Sequence, residues 1–399
     1  MSHLRLAILL GMTVALGPLA LDTYLPAFPH IARDLGVDHA AVGLTLSAYV
    51  AVLGGAQLVG GPLSDRYGRR RILLGGLAVF GAASLMVALA QTLEEMVAWR
   101  VVQAIGGAWC AVSVPAIVRD RARGTEAARL FGLIGLMMFV APALAPTIGS
   151  IVLALTAWPG IFVLLASYAL ILAVLLHAAL FRHLPAAERT RTPLRTLVTN
   201  YVTVFTTGAA MRFIAVQSLA FSVMLVFITH ASFIYQQWFG LSNATFSALF
   251  GANVAGMAAV NVLNRKLLLT RHSTVILRAA VAIQASAVLA LALLGLGDPP
   301  VTAVAAAIIV AVACMGAIAP NNIANALELF PTLGGTAAAV LGASQFLFSG
   351  AVSALSTRIV DGTLVPVVLT MAACSLGALV LVMGAPAAMR DALRNRHAR

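Results

Sequence analysis

Residues 60–74 read GGPLSDRYGRRRILL, with one aspartate and four arginines set between two apolar runs. Asp65 and Arg66 stand where the run 41–63 ends, and Arg69, Arg70 and Arg71 open the run 72–91. Gly61 allows close helix contact, and Gly68 permits a tight reversal because it has no Cβ. An acid among bases in so short a loop can hold a charge network, and Asp65 can also face the positive end of another helix. Taken alone, the arginines could equally be anchors at a membrane surface.

The surrounding chain shows which setting applies. Of 399 residues, 61% are hydrophobic and 10% charged, whereas soluble domains carry roughly 25% charged residues. The mean hydropathy is +0.99. No soluble core could bury so much apolar surface, so lipid must be the solvent. A span needs roughly 20 apolar residues. Twelve runs qualify: 5–28, 41–63, 72–91, 96–118, 129–153, 160–181, 213–236, 244–263, 274–296, 301–325, 336–357 and 364–386. The short alternating segments of a membrane β-barrel are absent. The expected fold is an all-α integral membrane protein with twelve transmembrane helices.

The net charge of +12 would point to nucleic acid in a soluble chain. Here all of the 25 Lys and Arg except Arg33, Arg100 and Arg358 fall on one side, if the N-terminus is cytoplasmic. That distribution is a positive-inside signal with both termini in the cytoplasm, and no nucleic-acid partner is expected. Cys110, Cys314 and Cys374 fall within spans without ligand spacing, so neither a metal nor a cofactor is expected. The longest polar interruption divides the chain into halves: residues 1–182, a cytoplasmic linker at 183–212, and residues 213–399, six spans in each half. Transporters are commonly built from such repeats, with substrate sites near the midplane between them. A clustered catalytic set, a soluble signalling domain and a phosphate-binding GxxxxGK[ST] are all missing, so an enzyme or a sensor is not expected.

Position by position, Gly61, Leu63, Asp65, Arg66, Gly68, Arg69 and Arg70 resemble the loop signature of the major facilitator superfamily. LALDTYLPAFPHIARDLG, WRVVQAIGGAW, VPAIVRDRARGTEAARL, APALAPTIG and APNNIANALELFPTLGGTAAAVLGASQFL resemble its Bcr/CflA drug:proton antiporters. The resemblance implies two six-helix bundles that rock about a central cavity and export small molecules in exchange for protons. It implies that Asp65 latches against the start of span eleven, near Gly335 and Thr336. It implies that Pro142 and Pro146 form the antiporter element of span five, where each removes a backbone donor. The expected setting is a bacterial inner membrane, with a small molecule, protons and lipid as partners and a monomer as the working unit. The alternative within transport is an exporter of one physiological metabolite.

Two residues stand out without any family. Asp22 is the only acid inside an expected span, and an ionised carboxylate there costs roughly 2.5–3.5 kcal/mol. It lies ~9 Å from the outer end of span one, and Arg100, the only base within a span, lies ~8 Å deep in span four. Embedded ionisable residues pair with one another or face a cavity. Asp22 and Arg100 are therefore expected to share a polar pocket, with Gln103 one turn from Arg100 tuning the acidity of a proton-carrying Asp22. The alternatives are an acid at the wet interface and an arginine that snorkels out. A proton falling through about 150 mV releases about 3.5 kcal/mol. Tyr24, Gln57, Trp109, Met138, Asn253, Asn322 and Gln345 are candidates for a substrate cavity, with ordinary helix packing as their alternative role.

Overall fold

The computed structural model describes residues 3–121, 124–181, 194–330, 333–360 and 362–384. Its first half holds α1 (His3–Asp22), a 3-10 turn (Leu25–Ala27), α2 (Phe28–Leu35), α3 (His39–Tyr67), α4 (Arg69–Ala88), α5 (Leu93–Arg121), α6 (Gly124–Leu155) and α7 (Trp158–Leu175). The second half holds α8 (Leu194–Thr206), α9 (Gly208–Ser232), α10 (Asn243–Leu267), α11 (Ser273–Leu294), α12 (Val301–Ala313), α13 (Met315–Leu327), α14 (Gly334–Ile359) and α15 (Val365–Met383). Among the described residues, eleven helices are long and apolar enough to cross a membrane. The described apolar part of α6, Val140–Leu155, is shorter than the others.

Three departures from the sequence reading have local causes. The first span continues past residue 28 to Leu35, because α2 buries Phe28, Ile31 and Ala32 before Gly36 ends it at φ 66°. The second span-long departure is a break in the run 301–325 at Cys314, between α12 and α13. Finally, the linker region holds a helix of its own. The phenolic hydroxyl of Tyr201 on α8 donates to the Leu58 carbonyl of α3 at 3.2 Å, and α9 begins at Gly208 rather than near 213.

Within the first half α4 packs on α5 and α7, and α1 packs on α6; in the second half α9 and α11 both pack on α15. Two seams join the halves, α3 on α14 and α6 on α10. Along the first seam the backbones touch. A Cβ added at Gly54 would stand 2.6 Å from the Ala343 carbonyl oxygen, and one at Gly350 2.6 Å from the Ala51 nitrogen. Small residues allow such approach where lipid supplies no hydrophobic drive between helices. Ser353 Oγ lies 2.8 Å from Ser47 Oγ and 2.6 Å from Thr229 Oγ1, and Ser150 meets Ser247 at 3.1 Å across the second seam. These contacts run from the middle of the helices to the end opposite the arginine-rich loops. One apolar cluster accordingly spans both halves, joining Tyr24 and Phe28 to Phe233 and Phe250. A second, around Ile276, Ile318 and Val340, is confined to the second half.

Candidate functional site: a broken first span and a caged arginine

The first span breaks at Asp22. Pro26 has no N–H to close on the Asp22 carbonyl, and the chain passes through the 3-10 turn before α2 resumes. Thr23 N–H still bonds the Leu19 carbonyl at 3.2 Å. The break is possible because α6 presents Gly149 to it: a Cβ there would lie 1.7 Å from the Thr23 carbonyl oxygen. Gly149 is one turn beyond Pro146, which is buried, while Pro142 is half-buried. Both prolines sit inside a continuous α6. Asp22 is 5% exposed, and its Oδ1 is buried without a hydrogen-bond partner.

Arg100 on α5 is fully buried. Its Nη1 donates to the Ala20 carbonyl at 3.1 Å and to Gln103 Oε1 at 2.6 Å. Ala20 O is the carbonyl that Tyr24 N–H would take in an unbroken helix, so the guanidinium replaces a backbone donor that the break removed. Gln103 Nε2 passes the chain on to Ser84 Oγ at 2.7 Å, and Ser84 donates to the Phe80 carbonyl. Around the cation stand Tyr49, Tyr24 and Phe162, with ring centroids 4.3, 4.6 and 5.9 Å from Cζ. A desolvated ring–guanidinium contact is worth about 2 kcal/mol, so two such rings are enough to offset the ~2.5–3.5 kcal/mol for an arginine within a span.

No ion pair joins Asp22 to Arg100 among the described residues. Arg100 lies over the ring of Tyr24, two residues after Asp22, and the two charges share that stretch of chain without pairing. The expected polar pocket thus holds no ion pair: Arg100 Nη1 bonds a carbonyl and an amide beneath the ring cage, while its Nε and Nη2 are buried without a hydrogen-bond partner. The Tyr24 hydroxyl itself lies 3.0 Å from Thr45 Oγ1.

At the other end of the first half, Gly68 adopts φ 93° and serves as both the end of α3 and the start of α4. Arg69 pairs with Asp120 of α5 at 3.1 Å and donates to Ser64 Oγ at 3.2 Å. Arg66 lies over the Tyr67 ring at 5.6 Å, and Arg70 Nη2 is 3.3 Å from His177 Nδ1. A Cβ on Gly61 would meet nothing. The side chain of Asp65, and with it the expected latch to span eleven, lies outside the described residues, as does the Met138 side chain.

The remaining cavity candidates are spread over helix seams. Gln345 Oε1 accepts from Gln217 at 2.6 Å, and Gln57 Oε1 faces Gly342 one turn away on α14. Trp109 packs its ring edge on Gly60. Asn253 donates to the Leu249 carbonyl and Asn322 to the Phe213 carbonyl, and each leaves its Oδ1 unpartnered. Sequence reasoning missed Tyr49, Gly149, Asp120 and Gln217. Gly149 stands inside the quoted APTIG element, and Asp120 inside RDRARG.

A profile of the Major Facilitator Superfamily matches residues 10–356. An uncharacterized MFS-type transporter, YdgK, of Bacillus subtilis (strain 168) is 31% identical over 88% of each chain. A bicyclomycin resistance protein homolog of Haemophilus influenzae is 29% identical over 92% of each. Among solved structures, a D-xylose-proton symporter superposes with a TM-score of 0.78 at 15% identity, covering 95% of this chain and 96% of its own. The match over most of its length, with the all-helical architecture, makes this chain a multi-pass membrane transporter that belongs to the major facilitator superfamily.

Proposed function

We propose that the chain is a proton-coupled exporter of drug-like or amphipathic small molecules, working by alternating access in a bacterial inner membrane. In this reading α6 completes twelve spans, residues 1–182 and 213–399 act as two six-helix units around the 183–212 linker, and both termini are cytoplasmic. The working unit is a monomer. The observation that carries the reading is Asp22: a carboxylate buried at a helix break, with one oxygen unpartnered and no cation in ion-pair range among the described residues. Its ionised form requires a cation or water at that oxygen, and its protonated form does not. A proton and an incoming substrate can therefore compete for one site, which is the elementary step of an exchanger.

Arg100 acts on this site through the backbone. By holding the Ala20 carbonyl and, through Gln103 and Ser84, linking α1 to α5 and α4, it keeps the break open and Asp22 in place. The far end is closed by a neutral hydroxyl contact across α3 and α14, Ser47 to Ser353, backed by Thr229 of α9. Bonds of this kind in membranes are worth about 0.6 kcal/mol each, weak enough to exchange as the halves rock. Drug-like cargo is supported by the bicyclomycin resistance homolog.

The test is substrate-dependent proton release from protein reconstituted in liposomes, wild type against Asp22→Asn, with bicyclomycin as the first probe. The variant is expected to insert and bind but neither release protons nor drive uphill export. Proton release at the wild-type level from Asp22→Asn would remove Asp22 from the coupling role. In an exporter-deficient host, unchanged susceptibility across a drug panel would redirect the search to a single metabolite.

A further inference from the structure

On the arginine-rich side of the molecule a cavity of about 430 Å³ opens where α3, α8, α9 and α14 meet. Small-molecule pockets span ~300–1,000 Å³, so the space is enough for a substantial apolar group. Its wall on α9 is the helical stripe Met211, Ile214, Ala215, Ser218 and Leu219. Phe205, Leu347 and Phe348 on its rim are 43%, 52% and 43% exposed, and in a membrane protein such rims face hydrocarbon. The cavity's lining includes no residue of α1 or α5, so it is separate from the Asp22 site, and its apolar rim suits hydrocarbon.

Two polar features make it more than a greasy crevice. Ser218 is 3% exposed, and its hydroxyl has no partner. Arg212 stands three residues before Ala215 and seven before Leu219, on the same helix edge, at the membrane-surface end of α9. Its Nη1 is buried without a partner, and it forms no ion pair among the described residues. Arg212 stands beside the cavity's lining rather than in it, and a partly buried guanidinium with no acid in reach among the described residues favours an anion. Basic pockets between spans on the cytoplasmic side suit lipid phosphates.

We propose that this cavity holds one phospholipid of the adjoining leaflet, with an acyl chain along the α9 stripe against Leu347 and the phosphate on Arg212. The Ser218 hydroxyl, ~9 Å deeper, supplies a donor for the glycerol ester region. Charge selects this occupant over a cationic drug, which Arg212 repels, and the apolar wall selects it over a free phosphate. The lipid would wedge the seam between the halves where the linker helix α8 crosses beneath it. This site is independent of proton coupling at Asp22, and its test involves no proton movement.

Delipidated protein in mild detergent is titrated with phosphatidylglycerol, and bound lipid is counted by native mass spectrometry. One tightly held lipid per chain is expected. Arg212→Gln should weaken it at least tenfold, Arg212→Lys should stay within about threefold of wild type, and Ala215→Phe, which fills the groove, should abolish it. If Ala215→Phe fails to insert, the two Arg212 variants decide. Equal lipid binding by wild type and Arg212→Gln overturns the proposal. So does competition by glycerol phosphate at the lipid's own concentration, which would mark a plain anion site. Displacement by dodecyltrimethylammonium as readily as by phosphatidylglycerol would overturn it too, because the occupant would then be a cationic amphiphile.

Discussion

The first span breaks at Asp22 and the span at Val301–Leu327 breaks at Cys314, yet the two breaks are stabilised by different chemistry. At the first, a guanidinium donates to the Ala20 carbonyl. At the second, neutral amides do the same work: Gln284 donates to the Ala311 carbonyl at 3.1 Å, and Asn261 to the Gly316 carbonyl at 3.0 Å. Irregular backbone inside a membrane must be satisfied by protein groups, and an amide meets that need without the cost of burying a charge. Among the described residues the buried side chains with formal charge are Asp22 and Arg100, both in the first half; the second half buries hydroxyls, amides and His230. A charge at the first break therefore answers more than a structural need. It sets a fixed cation at the same break as a buried acid, the arrangement that the proposed proton coupling would use.

The comparison is broken most severely at the glycines that seal each break. A Cβ on Gly149 would lie 1.7 Å from the Thr23 oxygen, and one on Gly316 2.2 Å from the Met257 oxygen. Gly149→Leu is expected to abolish insertion of folded protein, the more extreme end of single substitutions at above ~4 kcal/mol. Membrane yield and thermal unfolding in detergent measure it. Normal yield with a normal midpoint would mean that the break is not held against α6.

Arg100→Gln asks whether an amide can serve the first break as amides serve the second. The shorter side chain loses the ring cage, worth about 2 kcal/mol per desolvated ring. Removing its reach to Ala20 also leaves a buried carbonyl unpaired, at ~1–3 kcal/mol. A clear fall in the unfolding midpoint and loss of most uphill transport are expected. An Arg100→Gln protein as stable as wild type would show that the cation is not a structural cap. Stable protein that still transports would make the two breaks equivalent. Gln284→Leu at the second break should be milder, ~0.6–1.7 kcal/mol, with transport kept within a few-fold; a loss as large as that of Arg100→Gln would erase the asymmetry.

How far these features could be read from sequence follows their chemistry. The loop 60–74 was legible because Gly68 at φ 93° is needed wherever two spans reverse within one residue. Asp22 and Arg100 were legible as ionisable residues in apolar runs, and their shared depth put them near one another. Their actual relation was not, because Arg100's partner is the Ala20 carbonyl and a backbone oxygen leaves no mark in a sequence. Pro26 signalled a break after Asp22, but the matching wall at Gly149 is one of 33 glycines. Nothing local distinguishes it from a flexible one. The Ser47–Ser353 contact spans 306 residues, and serines in apolar helices usually bond their own turn.

That serine contact supports the smallest prediction and the one most tied to mechanism. Ser353 bonds Ser47 across the seam and Thr229 within its own half, so Ser353→Ala removes one bond between the halves. At about 0.6 kcal/mol per membrane hydrogen bond, the balance between closed and open far ends should shift by about threefold. The overall unfolding midpoint should barely move. Spin labels at Leu155→Cys and Leu296→Cys, exposed by 79% and 76% on the two halves, report the separation, and the buried Cys110, Cys314 and Cys374 should not compete for label. A larger population of long distances in Ser353→Ala, at unchanged stability, would show that neutral bonds set the gate. An unchanged distance distribution would leave the backbone contacts at Gly54 and Gly350 as the closure, and the hydroxyls as packing only.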